Sequence, residues 1–494
     1  MKKSIYKLLS LVLAVAFFIS CTKMEDFGET NTNPAATNTP NTAALLTNVL
    51  SGVGAFAALN GPALYCQYFA ETQYPDFSCY SANLASPMGT YSASLYDLQN
   101  IILTNTDEKT KGAAALNGAN ENQIAIARIL KAYTYWVITD RWGDVPYTDA
   151  LKGDPNVKYD DQETIYKDMI KELTEAGSQF VTGAAIKGDI AYNGDVAKWK
   201  KLANSLRMLM ALRLSKVYPG ASDYAATEFK SALADGAGHI ATNADNFQLN
   251  YPGGNFRNPF YNMYDGRKDY GESATLTTLV GTLTGDSRLS VFGATSTGAT
   301  SIQGVPYGYK RETVTAWTST NPNYAYVFAP AYRKETSPLF IVKAASVLLA
   351  RAEAADRGWT SESANTETLY ASGITASFEQ WGLVAPDASY FSGPNVDLTA
   401  AFGTGANVSK IAVQQYVSYF PDGVQGWSNW RRTGVPALLP APDATNDPKE
   451  IPRRYMYGTT DYSLTKVGVE AAIAKILPSG TGDKMNGRVW WDKQ

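Results

Sequence analysis

The chain has 494 residues, 45% of them hydrophobic, which is enough to fill a sizeable buried core. A net charge of -3 without blocks of like charge offers no phosphate-binding surface and sets nucleic acid aside as a partner. The single histidine, His239, excludes His-rich metal sites and leaves a Ser-His-Asp arrangement only if His239 supplies it. At the N-terminus, Lys2, Lys3 and Lys7 precede an apolar run over residues 8–19, then Ser20 and Cys21. That run is too short to cross roughly 30 Å of hydrocarbon, so residues 1–20 read as a signal peptide. Residues 30–41, TNTNPAATNTPN, form a polar, extended linker.

Residues 42–59 are rich in Ala, Leu and Val and predict the first helix. From Gly61 to Tyr91 the rings of Tyr65, Tyr68, Phe69, Tyr74, Phe77, Tyr80 and Tyr91 alternate with Pro, Ser and Asn, and a second helix follows to about Thr104. The strongest helix signal starts at Glu121. Ile126, Ile129, Leu130, Tyr133 and Val137 recur at three- and four-residue steps, and Trp136 and Ile138 widen the apolar face. Gly143 then offers a left-handed stop and Pro146 forbids resumption. Asp160 or Asp161 caps the next helix, with Ile165, Met169, Leu173, Ala176 and Phe180 on one face. Asn193 or Asp195 caps another, carrying Trp199, Leu202, Leu206, Met210 and Leu214; Tyr224, Phe229 and Leu233 mark its return partner. Helix pairs of this kind are the unit of a tetratricopeptide-like array. Ser337-Pro338 is expected to open a further pair, residues 339–357 followed by Leu369, Tyr370, Ile374, Phe378 and Trp381. A buried Glu353 in that pair needs a partner, for which Arg351 and Arg357 are at hand.

Residues 239–336 carry few helical signals and many Gly, Asn, Tyr and Thr. The stretch is too long for a bare connection and reads as an ordered insert with short strands or turns. Cys66 and Cys79 either close a disulfide worth roughly 3 kcal/mol or remain two buried thiols. No phosphate loop, zinc pattern, nucleophile elbow or dinucleotide fingerprint stands out. Paired carboxylates need no motif, so a helical glycoside hydrolase stays open as an alternative. The turns at residues 243–246 and 443–447 lack a full calcium loop and offer at most a weak structural calcium site, so no cofactor is expected. With 31 Tyr and 10 Trp, many of them in polar segments, the rings suit a wet binding surface as well as packing over loops. Trp317, Tyr324, Tyr326 and Phe328, with Tyr307 and Tyr309, are the first-choice ligand contacts; Tyr74, Phe77 and Tyr80 are the second.

The run from Ala127-Arg128 to Asp140-Arg141-Trp142-Gly143-Asp144-Val145-Pro146-Tyr147 resembles the hallmark helix and turn of the SusD/RagB family of nutrient-binding outer-membrane lipoproteins. Gln67 to Glu71, Asn258 to Tyr261, Asp286 to Leu289, Gly304 to Gly308, Ala352 to Trp359, Trp427 to Pro436, Ile451 to Arg454 and Trp490 to Asp492 also resemble family segments. Phe18-Ile19-Ser20-Cys21 is similar to a lipobox, which makes Cys21 the lipidated residue, and Glu25 and Asp26 are similar to surface-export signals.

The resemblance implies a mostly α SusD-like fold of tetratricopeptide-like antiparallel helix pairs with a loop-rich ligand-binding insert. It implies a signal over 1–20, an anchor and linker over 21–41 and one domain over 42–494. The helical core lies mainly in 42–236 and 337–420, and the binding part in 238–336 and 421–494. It further implies a non-catalytic, outer-membrane lipoprotein facing the cell exterior. Such a protein docks on a SusC-like TonB-dependent transporter and passes it oligosaccharide or, as RagB-like relatives do, peptide.

Overall fold

Glycine ends the central helix where a residue with a Cβ would be strained. Gly143 sits at φ +91°, and its N–H bonds the Thr139 carbonyl at 2.8 Å. The computed structural model describes residues 40–154, 157–301 and 303–493. The expected signal segment, Cys21 and nearly all of the linker lie outside the described residues.

The helices used below are α1 (Thr42–Ala57), α2 (Asn60–Tyr65), α3 (Tyr96–Thr106), α4 (Asn120–Trp142), α5 (Gln162–Gln179), α6 (Val196–Arg213) and α7 (Tyr224–Leu233). They continue with α8 (Arg311–Thr320), α9 (Ala344–Asp356), α10 (Thr366–Glu379), α11 (Val408–Tyr419), α12 (Gly423–Thr433), α13 (Thr459–Leu464) and α14 (Lys466–Ile473). Sequence neighbours pack in turn, α3 on α4, α4 on α5, α5 on α6 and α6 on α7. A second group forms around α9, which packs on α10, α11 and α6; α12 then reaches back to α2 and α4. The strands are short: β1 (Phe69–Glu71), β2 (Phe247–Leu249), β3 (Tyr270–Glu272), β4 (Gly293–Ala294), β5 (Tyr326–Val327) and β6 (Leu339–Val342). They pair antiparallel as β1 with β3, β2 with β6 and β4 with β5. The chain is mostly helical, with a loop-rich insert as the pattern of Gly and Asn predicts.

Two local expectations change, and two open choices of helix start are decided. The helix expected from Leu339 begins at Ala344, because Leu339–Val342 pairs with β2; a short Leu-Phe-Ile-Val run suits either state, and the partner strand decides. Asp161 rather than Asp160 stands at the start of α5, while Asp160 accepts the N–H groups of Tyr147 and Thr148 at 3.0 and 2.8 Å. Asp195 caps α6 by accepting from the Lys198 N–H. Residues 423–433, placed in the loop-rich part, form a helix whose Trp427 is fully buried.

Where the two helical groups meet, the core is polar and paired. Glu353 on α9 is gripped by Arg432 on α12, with Nη1 to Oε1 at 2.5 Å and Nη2 to Oε2 at 2.7 Å, and also receives Arg357 and Gln415. Burial alone pushes its carboxyl up, but the Arg432 and Arg357 guanidiniums overcome that and hold it down at about 2. Arg351, the other expected partner, goes to Glu362 and lies 3.1 Å from His239. Asp140 on α4 takes the Trp491 indole N–H at 2.8 Å, the Ser428 hydroxyl at 3.3 Å and the Tyr166 hydroxyl, and lies 3.4 Å from Arg213. Arg431 donates to the Asp140 and Arg453 carbonyls. These arginines fix the scaffold.

Candidate functional site: an aromatic face

Strand β1 sets the first ring-bearing loop. Glu71, at its end, accepts the Ser78 N–H at 2.8 Å, and the Ser78 hydroxyl accepts the Glu71 N–H at 3.2 Å, which closes residues 72–77 into a loop. Burial, opposed by those Ser78 contacts, raises the Glu71 carboxyl to about 7. Tyr74 and Phe77 are left 52% and 37% exposed. Tyr80 turns the other way at φ +62°, buried, its hydroxyl accepting the Ala441 N–H.

The second loop meets the first through residues 441–445. Gly308, at φ +76°, lies so close to Ala441 that a Cβ would come within 2.4 Å of it. The Gly308 carbonyl accepts from the Asp443 N–H, the Asp443 carboxylate accepts from the Lys310 N–H at 2.8 Å, and the Thr445 N–H reaches the Cys79 carbonyl. Both loops are thereby stitched to one backbone segment. Tyr307 is buried beneath, 6.4 Å from the Tyr80 ring, whereas Tyr309 is 36% exposed. Arg311, which opens α8, holds its guanidinium 4.9 Å over the Tyr74 ring and so joins helix to loop.

Behind α8 stands a column of rings. Trp317 is half-buried, 6.3 Å from Tyr324; Tyr324 stacks on Tyr326 at 4.9 Å, and Tyr326 on Tyr264 at 5.1 Å and 12°. Arg333 stands 4.2 Å from the Tyr264 ring and 5.8 Å from the Tyr326 ring, and donates to the Phe328 carbonyl. The Tyr264 hydroxyl accepts from the Val327 N–H and donates to the Tyr270 carbonyl, which ties the column to β5 and β3.

The rings expected as contacts therefore divide. Tyr74, Tyr309 and Trp317, with Phe77, have surface to offer. Tyr80, Tyr307, Tyr324, Tyr326 and Phe328 are buried and cannot lay a free face on a ligand; they hold the exposed rings in place. Tyr264, Arg311 and Arg333 were not foreseen, since each meets its ring partner across a long stretch of chain and no local pattern marks them. The turns weighed for calcium are engaged within the protein: Asp245 pairs with Lys201 at 3.0 Å, and Asp443 serves Lys310. Among the described residues no group of three or more His, Cys, Asp and Glu is placed to hold a metal. Cys66 and Cys79 are free, buried thiols, and burial pushes the Cys79 thiol up to about 12.

Rings with open faces beside Asp, Asn and Arg side chains can stack on the C–H faces of a sugar and bond its hydroxyls. Comparison with known proteins bears on that chemistry. A family described as SusD-like, starch-binding and associating with the outer membrane matches residues 33–458. An outer-membrane protein of Bacteroides vulgatus connected with nutrient binding is 25% identical over 92% of this chain and all of its own, with a TM-score of 0.77. A chitin-binding protein is 26% identical over 92% of this chain and all of its own, TM-score 0.74. A chitin-binding SusD homologue from Flavobacterium johnsoniae, 23% identical over 92% of this chain and 98% of its own, shares the fold with a TM-score of 0.74. No curated protein matches. With the greater part of its length matched by that family and its architecture shared along 92% of the chain, this protein belongs to the SusD-like family.

Proposed function

We propose that the protein is a surface-exposed lipoprotein, anchored in the outer membrane through Cys21, that captures oligosaccharide on its aromatic face and delivers it to a SusC-like TonB-dependent transporter. Residues 1–20 serve as signal, 21–41 as tether and 42–494 as the binding body. The observation that carries the reading is that Tyr74, Phe77 and Tyr309 are exposed on two loops stitched to one segment, with Arg311 joining Tyr74 to the helix that bears half-buried Trp317. The 26%-identical chitin-binding protein supports a polysaccharide ligand over a peptide. Two of its buried carboxylates, Glu353 and Asp140, are held in structural pairs, which supports a binding role for the body.

Retardation in polysaccharide gels tests the claim, with chitin and starch in separate gels and peptide digests as the competing arm. Retardation by one glycan, lost on joint substitution of Tyr74 and Trp317 by Ala, is expected; retention of peptides with no glycan response overturns it. Recovery of a large barrel protein with the chain from mildly solubilised outer membrane tests the transporter partner.

A further inference from the structure

Two neighbouring helices of the core share one small polar pocket. Arg128 and Lys131 stand one turn apart on α4, and Thr164, Asp168 and Glu172 follow at four-residue steps along α5. With Tyr147, from the turn after α4, they line a pocket of about 290 Å³. That volume lies at the small end of ligand sites and matches one sugar-sized ring better than a chain. Thr164 is exposed, and Arg128, Lys131, Tyr147, Asp168 and Glu172 are half-buried, so a solute can reach these side chains.

Three of these groups are committed to the scaffold. Arg128 holds Glu172 through Nε at 2.8 Å and Nη2 at 3.0 Å, and its Nη1 bonds Gln179 at 3.0 Å. The Tyr147 hydroxyl donates to one oxygen of Asp168 at 2.8 Å, which fixes the ring in the wall. Lys131 and Asp168 keep capacity to spare. The ammonium has three donors and gives one of them to Gln99 at 2.9 Å. Burial lowers it from its ordinary value and the Glu172 and Asp168 carboxylates act against that, yet it forms no ion pair with either among the described residues. The second Asp168 oxygen has no hydrogen-bond partner among the described residues. A simple anion in this pocket meets Asp168 and Glu172, and a metal cation meets Lys131 and Arg128, so each is repelled. A neutral diol answers both free groups, because a hydroxyl can accept from the ammonium while its neighbour donates to the carboxylate. The Tyr147 ring offers a flat wall to the C–H face of the same molecule.

We propose that this pocket is a second binding site, sharing no residue with the aromatic face, which takes a single neutral sugar ring. Lys131 donates to one hydroxyl, Asp168 accepts from the adjacent one, and the ring lies against Tyr147.

The test uses the purified chain carrying Tyr74→Ala and Trp317→Ala, so that the aromatic face does not contribute. D-glucose, D-galactose, D-mannose, glycine and sodium acetate are titrated in turn, followed by saturation-transfer NMR and melting temperature. Saturable binding of at least one hexose with a raised melting temperature, and no matching response to glycine or acetate, is expected. In the same chain, Lys131→Met removes the ammonium donors, and Thr164→Trp fills the pocket from an exposed position on α5. Each is expected to weaken the bound hexose roughly tenfold or more while circular dichroism stays unchanged. No saturable hexose, glycine or acetate bound as tightly as any hexose, or full affinity in either variant would overturn the site.

Discussion

The joint between α9 and α12 and the ring column behind Trp317 both build buried order from large side chains, yet they hold by opposite means. At the joint, Glu353 and Arg432 are charged, buried and matched atom for atom, and neighbouring Gln415 and Asn429 occupy the remaining donors and acceptors. In the column, four rings lean on one another in series, with Tyr324 and Tyr326 buried and the end rings, Tyr264 and Trp317, half-buried. The joint has little tolerance for loss, since either partner alone would be a buried uncompensated charge. The column ends on a surface where change in a single ring alters what is presented and leaves the scaffold standing.

That contrast can be broken at its strongest point by Arg432→Ala, expected to cost about 3–5 kcal/mol in chemical denaturation by stranding Glu353. A loss below about 1 kcal/mol would mean that Arg357 and Gln415 suffice. Next in size, Tyr326→Ala removes the middle of the column and is expected to cost roughly 3 kcal/mol and also to weaken glycan retardation; unchanged retardation would show that Trp317 does not depend on the rings behind it.

Glu272 sharpens the comparison from the other side. It is fully buried on β3, against Gly293, and neither carboxyl oxygen has a hydrogen-bond partner among the described residues; burial raises its carboxyl well above the usual carboxylate range. Glu272→Met keeps the unbranched shape and removes the orphaned oxygens. A gain of roughly 1–3 kcal/mol near neutral pH is expected, read as a higher melting temperature.

At the surface, Trp317→Ala is expected to weaken oligosaccharide binding roughly tenfold with melting temperature nearly unchanged; a large drop in melting temperature would place Trp317 with the scaffold. The smallest effect concerns Glu71. Its folded carboxyl titrates at about 7, above the ordinary value of 4.5, so between those limits the folded state holds more protons than the unfolded one. Stability therefore falls as pH rises from about 4.5 to about 7. Glu71→Gln should flatten that part of the melting profile, and an unaltered slope would remove Glu71 as its source.

Local chemistry was enough to read the longer helices from Asn120 to Leu233. The periodic Ile126, Ile129, Leu130, Tyr133 and Val137 lie inside α4, Gly143 ends it at positive φ, and Asp195 caps α6, because each of these depends on neighbours within about a turn. The aromatic residues were legible as a class but not one by one. Tyr80 and Tyr74 sit in the same kind of sequence, yet Ala441 and Tyr307 cover the first and nothing comparable covers the second. Arg432 offered no hint that Glu353 was its partner, and Leu339–Val342 became a strand only because β2 lay alongside. Helix ends and apolar stripes are decided within a few residues of chain; burial of a ring, pairing of a charge and the choice between strand and helix are decided by segments that meet only when the whole chain has closed.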